Sequence, residues 1–283
     1  MNGLNEKDCA NCYVAFLDIL GFKRIDSVHS HEHLKSVYED FWGNVKHALS
    51  NDKYIFSHDG ENICLSPDFG QATVNLLLVS DSILLWTDDN SAESFGNIVK
   101  AVQNLLAFSI SMIDGIPLRG AISIGQLPSG LHQRPPHTHD FQQSLLGKVL
   151  TEVEKNQEWS GCEITQAAIE FYKNNCSAGE SLIEKKEVVF YPVPRKDGES
   201  NGYVVDWVNQ PKTGIDIPTV TGAFAFPCGP PNASDFEKFK TDEWPKVKIK
   251  LCNTLKFVKH VKSLEKQVFV PWPTVKKQVR MKD

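Results

Sequence analysis

The sequence predicts an α+β fold: a ferredoxin-like βαββαβ core followed by a C-terminal extension. Three observations carry that reading. β-prone runs stand at 13–18, 73–80, 82–87 and 117–125. Stretches with helical spacing fall at 31–50 and 91–113, so the order is strand, helix, strand, strand, helix, strand. Only a short interval around Asp81 parts the second run from the third.

Each element has a local reason. Residues 13–18 (YVAFLD) are almost wholly apolar, as a strand buried on both faces should be. Leu34, Val37, Phe41, Val45 and Leu49 recur every three or four residues and so share one helix face. Residues 51–72 are rich in Asp, Gly, Asn and Pro and read as loop, with at most a short strand at YIFS. TVNLLLVS (73–80) and SILLWT (82–87) form a hairpin or one strand broken at Asp81; the βαββαβ order takes the hairpin. A helix is expected over 91–113, a strand at PLRGAISIG (117–125) and a helix over 145–158. Further on come strand candidates at 186–193 and 202–208, a Pro- and Gly-rich loop (209–234) and a basic helix. The expected organisation is a tail at 1–9, a catalytic domain at 10–180 and an extension at 181–283 packed on the same core.

Composition narrows the classes. The 283 residues carry a net charge of -5, with 41% hydrophobic and 23% charged residues. Those ordinary values exclude long disorder, collagen-like repeats and a coiled-coil rod. No apolar run reaches the ~18 residues that span a bilayer, and the first residues are polar with no signal-peptide core. A cytoplasmic location with no membrane partner is therefore expected. Seven scattered cysteines argue against a disulfide scaffold. Cys9 and Cys12 form the single C-x-x-C, without the second pair that a structural zinc needs. His29, His31 and His33, like His137 and His139, sit in polar sequence and read as solvated turns. Residues 236–283 hold 13 Lys+Arg against 5 Asp+Glu, a surplus of +8 that leaves -13 for the rest. Leu251, Leu255, Val258, Val261 and Leu264 recur there at helical spacing, and no aromatics are interleaved as a stacking platform. The basic stretch reads as an amphipathic helix docked on an acidic body, not as a nucleic-acid surface.

Topology gives two carboxylates a shared place. In a βαββαβ core the first and third strands are central, antiparallel neighbours. Asp18 ends the first strand and Asp81 sits at the hairpin, so both reach one sheet edge although 62 residues lie between them. Such a pair is costly unless a cation or a proton neutralises it. Mg²⁺ or Mn²⁺ suits oxygen ligands, and two ions bridged by two aspartates form a clamp for phosphoryl transfer. Gly21 lets the chain turn, so that the amides from Phe22 onward face phosphate oxygens at a helix start. Arg119, on the last core strand, offers the same polyphosphate a planar fork of donors. Spacing alone supports equally a structural reading, in which Asp18 and Asp81 cap strands and Arg119 is their ion-pair partner.

FLDILGF, VSDSILLW and LRGAISIG, in that order, resemble the catalytic domain of class III nucleotidyl cyclases over roughly residues 10–175. The resemblance implies a homodimer with sites shared between protomers. It also implies two Mg²⁺ or Mn²⁺ ions on Asp18, Asp81 and the Ile19 carbonyl, with Arg119 on the triphosphate. Departures from the family pattern are equally informative. Leu77 stands where purine cyclases carry a base-reading Lys or Glu, and Ser144 at their second base-reading position. Thr151 replaces the family's Asn, and Lys155 its transition-state Arg. Leu77 cannot hydrogen-bond a base, and an unpaired polar edge on a buried purine costs about 1–3 kcal/mol. Tyr54 is the candidate to close a smaller, pyrimidine-sized pocket and offer a hydroxyl. DILGFK, RGAISIG and a GK-x-L helix leading to EW-x-G resemble most the bacterial pyrimidine cyclases of Pycsar antiphage defence. That resemblance implies cyclic UMP made from UTP (or cyclic CMP from CTP) and an effector activated by the product. UTP is preferred because no carboxylate stands at a base-reading position to accept from cytosine's amine. A non-catalytic, cyclase-like nucleotide sensor is the competing reading: loss of the Asn/Arg pair favours it, retention of both aspartates opposes it.

Overall fold

A computed structural model describes residues 11–50, 53–59, 62–127, 144–177, 181–210, 214–225 and 242–266. Cys9, His137 and His139 lie outside the described residues. The elements run β1 (Asn11–Ile19), α1 (Phe22–Val28), α2 (His31–Leu49), β2 (Tyr54–Asp59), β3 (Asn62–Pro67), β4 (Asn75–Val79), β5 (Ser82–Trp86), α3 (Ala92–Ser111) and β6 (Leu118–Gln126). They continue as α4 (Leu145–Asn156), β7 (Gly161–Ile164), α5 (Gln166–Asn175), β8 (Val188–Arg195), β9 (Gly198–Val205), α6 (Ile217–Ala225) and α7 (Trp244–Lys266).

Seven strands form one sheet in the order β4-β5-β1-β6-β7-β9-β8. The first four are the ferredoxin-like set: β1 lies between β5 and β6, antiparallel to both, and β4 pairs antiparallel with β5. The expected α+β class is therefore met by the topology itself. β7 joins parallel to β6 after the α4 crossover, and the β8–β9 hairpin extends the sheet through β9.

The two faces of β1 explain its near-continuous apolar run. Tyr13, Ala15, Leu17 and Ile19 enter a large core shared with α2, α3, α5, α6 and α7. Cys12, Val14 and Phe16 enter a smaller core with Leu84, Trp86, Ala121 and the α4 residues Leu146 and Leu150. Serines cap three helices: Ser30, Ser91 and Ser144 accept from the N–H groups of His33, Ser94 and Gly147. At Gly120 a Cβ would lie 2.5 Å from the Phe16 carbonyl oxygen, so β1 and β6 pair as closely as they do only with glycine there.

Elsewhere the structure departs from expectation. Within the 51–72 stretch β2 and β3 pair antiparallel, and among the described residues they pair only with each other. α6 lies inside the expected 209–234 loop; its sequence IPTVTGAFA has weak intrinsic helicity, but Val220, Ala223 and Phe224 are buried in the large core. β9 starts four residues earlier than expected because its first half (GESN) is polar and exposed. β7 and α5 carried too short a pattern to be anticipated. His31 and His33 open α2 as exposed residues rather than a turn, with His33 Nε2 3.6 Å from Asp114. In α7, Val258 and Val261 are buried, and Leu251, Leu255 and Leu264 pack at their margin. No helix among the described residues is long and apolar enough to cross a membrane.

Candidate active site

The end of β1, the β4–β5 turn, the start of β6, the end of α4 and the start of β7 converge on one sheet edge. Ser82, Asp18, Arg119 and Gly161 stand in register across β5, β1, β6 and β7. The Ile19 N–H donates to the Asp81 carbonyl at 3.0 Å, which ties the aspartate-bearing end of β1 to the hairpin turn. Ser80, the first residue of that turn, has φ 55, the positive value a two-residue hairpin loop demands. Asp18 and Asp81 thus meet as the topology predicted.

Arg119 lies between strand and helix. Its Nε donates to Glu154 in a tight, buried ion pair, and its Nη1 donates to the Gln157 carbonyl at 3.0 Å. Its Nη2 is 3.8 Å from Asp18 Oδ2. Gln157 is itself held: Nε2 donates to the Gly120 carbonyl at 2.8 Å, and Oε1 accepts from Trp159 Nε1 at 2.9 Å. The structural reading of the sequence gave Arg119 to both aspartates; its tight partner is instead Glu154, with Asp18 at longer range. Glu154 is 1% exposed, not part of a solvated helix face. Its signal was present, since a carboxylate beside the Leu146, Leu150 and Val153 stripe requires a cation.

Electrostatics single out Asp18. Burial, then Glu154, then Asp81 push its pKa up to about 7, against the opposing pull of Arg119 and Lys155. Burial also raises Glu154, and Arg119 offsets only part of that. Tyr38 of α2, which no sequence signal marked, is raised to about 12 by burial and by Asp26 and Asp81.

The other expected site residues divide. Thr151 and Lys155 line an open groove of about 550 Å³ on α4, together with Lys148, Glu152 and Asn156. Lys155 is exposed, yet within electrostatic reach of Asp18 in its own chain. Ser144 caps the far end of α4, roughly 16 Å from Lys155 at 1.5 Å per residue. Leu77 is half-buried on the α4-covered face, one pair of residues behind the Asp18 row, through Leu84 and Phe16. Strand spacing puts its Cα about 12 Å from that of Asp18. Tyr54 does not join it. Its ring lies 5.6 Å from His47 on α2, which covers the opposite face, because the chain before β4 forms a separate hairpin. Gly21 has φ 83, and its carbonyl accepts from Arg24 and Ile25 to start α1. That helix has seven residues and a correspondingly weak dipole, and Phe22 packs against Tyr38 at 6.3 Å.

No family model and no curated protein matches the sequence. Two solved structures of a bacterial light-regulated adenylyl cyclase resemble the chain, each at 9% identity, with TM-scores of 0.39 and 0.42. The alignments cover 77% of this chain and 57% and 56% of those chains, so it spans a little over half their length. Superposition at that level is loose, and the chemistry of this chain is read from its own sheet edge. The acidic side chains within electrostatic reach of one another there, Asp18, Asp81 and Glu154, offer oxygen atoms only. Among the described residues, this edge included, no three His, Cys, Asp or Glu side chains gather into a group that could hold a metal ion.

Proposed function

We propose that the chain is a nucleotidyl cyclase that converts UTP into 3′,5′-cyclic UMP and pyrophosphate. The observation that carries this reading is the sheet edge where the Ile19–Asp81 hydrogen bond locks two aspartates together beside Arg119. Oxygen donors fit Mg²⁺ or Mn²⁺, and a divalent ion would offset both the burial and the neighbouring carboxylates that lift Asp18. Asp18, Asp81 and the Ile19 carbonyl would hold two such ions, which, when bound, supply the charge that acidifies the ribose hydroxyl. The 3′-oxygen gives its proton to solvent and bonds to the α-phosphorus as the bond from that phosphorus to the α–β bridging oxygen breaks, and pyrophosphate leaves with the bonding pair.

Arg119 is suited to hold phosphate beside Asp18, its plane fixed by Glu154 and Gln157. Lys155 contributes a point charge toward the phosphates and Thr151 a hydroxyl. Both face the groove on α4, so we assign them to the site of a second copy in a homodimer. The reach of Lys155 to Asp18 in its own chain favours a second reading, a site complete within one chain. Leu77, about 12 Å from Asp18, leaves room for a ribose and α-phosphate between base and ions and fills volume without reading a purine edge. Ser144 is the remaining polar candidate for the base. The product's role, a messenger that activates an effector in antiphage defence, follows from the sequence resemblance. The test is incubation with ATP, GTP, CTP and UTP separately in Mn²⁺, with products separated by chromatography. Cyclic UMP is expected; dominant cyclic CMP would move the base assignment, and cyclic AMP or GMP would overturn the pyrimidine reading.

A further inference from the structure

The C-terminal helix does more than cover the core. Thr254 of α7 accepts from the Ser160 N–H at 2.8 Å, and Asn253 Nδ2 donates to the Glu158 carbonyl at 2.9 Å. Ser160 in turn donates to the carbonyl of Leu118, the residue before Arg119, at 2.7 Å. These bonds dock α7 on the segment whose Gln157 carbonyl accepts from Arg119. At the other end, Glu243, just before α7, lies 3.7 Å from Arg24 of α1. The N-terminal half of α7 therefore runs from the helix after Asp18 to the entry of β7.

Lys250 sits in that half, three and four residues before Asn253 and Thr254 and so on their face. It is half-buried. Burial lowers its pKa; Glu158 and Glu154 draw on its charge, while Arg119 and Lys196 repel it. Lys196 is brought in by its N–H, which donates to the Asn156 carbonyl at the end of α4 at 2.9 Å. Arg119 of β6 and Lys196 of the β8–β9 turn thus both lie within electrostatic reach of Lys250. Three cations there meet two carboxylates, Glu154 and Glu158, and the positive surplus in a partly desolvated place favours a bound anion.

We propose that α7 forms a wall of the candidate site, and that Lys250 binds the terminal phosphates of the nucleotide together with Arg119 and Lys196. The proposal rests on the nucleotide reading for its ligand, although the recognised chemistry is polyphosphate alone. The test is calorimetric titration of the full chain with inorganic tripolyphosphate, followed by UTP kinetics. Lys250→Ala and Lys250→Gln should each weaken tripolyphosphate binding about tenfold, the worth of one charge-assisted contact. Lys250→Arg should stay within about threefold of wild type. Lys256→Ala, at an exposed position of the same helix, should bind like wild type. In turnover, Lys250→Ala should raise KM about tenfold and leave kcat within about twofold. Wild-type chain that fails to bind tripolyphosphate, Lys250 variants that bind it normally, or equal losses in Lys250→Ala and Lys256→Ala would each overturn the proposal. Lys250-dependent binding in a chain that cyclises no nucleotide would sink the cyclase reading and leave this one standing. Normal cyclisation with unchanged KM in Lys250→Ala would do the reverse.

Discussion

Asp18 is held in its place at a cost in stability. Unfolded, its carboxyl ionises near 3.8; folded, burial and the Glu154 and Asp81 carboxylates push that to about 7. Between those values the folded chain keeps a proton that the unfolded chain has lost. The stability tied to this group is therefore complete below about pH 4, falls as pH rises to about 7, and stays flat above. Asp18→Asn removes that slope. Without divalent ions, the variant should exceed wild type at pH 8 by about 2–4 kcal/mol and match it near pH 4, as read by urea unfolding at both values. Equal stability at pH 8 would show that the carboxylate is not strained. Asp18, Asp81 and Arg119 were legible in the sequence because each sits at a strand end whose partner the βαββαβ order dictates. Glu154 shares the Leu146 and Leu150 face of α4, so its burial was legible, but its pairing with Arg119 depends on that face meeting β6. Tyr54 misled because nearness in sequence to the β4–β5 hairpin does not make it part of that hairpin.

At the scale of elements, the pairing of β1 with β6 sets the distance between Asp18 and Arg119. Gly120→Ala would press a methyl group against the Phe16 carbonyl, 2.5 Å from the ideal Cβ position. The strands must part, and the expected loss is about 3 kcal/mol. Urea unfolding measures it; a wild-type midpoint would mean that the two strands have slack. The helices α2 and α3 were readable from their 3.6-residue apolar spacing, and β1, β5 and β6 from the short, nearly continuous apolar runs that burial on both faces imposes. α6 and the first half of β9 were not. One is held helical by packing against the large core, and the other is exposed on an outer hairpin where no apolar pattern is required.

For the whole molecule, the number of chains that make one site decides how variants complement each other. If Thr151 and Lys155 act across a dimer, mixing Asp81→Asn with Lys155→Ala gives heterodimers with one intact site, and activity should return toward a quarter of wild type under random pairing. Mixtures as inactive as either parent would assign Lys155 to the same chain as Asp18, as its electrostatic reach permits. The four-strand core of the sheet could be foreseen from the sequence, but β7, the docking of the β8–β9 hairpin and the approach of α7 could not, because the charge surplus of residues 236–283 says nothing about where a helix docks. The most direct measurement is turnover of α-³²P-labelled UTP in Mn²⁺ by wild type and Asp81→Ala, following labelled cyclic nucleotide and released pyrophosphate together. The account predicts equal amounts of both products from wild type and neither from a variant that remains folded. Wild-type-like cyclisation by Asp81→Ala, or no cyclic product from wild type with any nucleoside triphosphate, would contradict it.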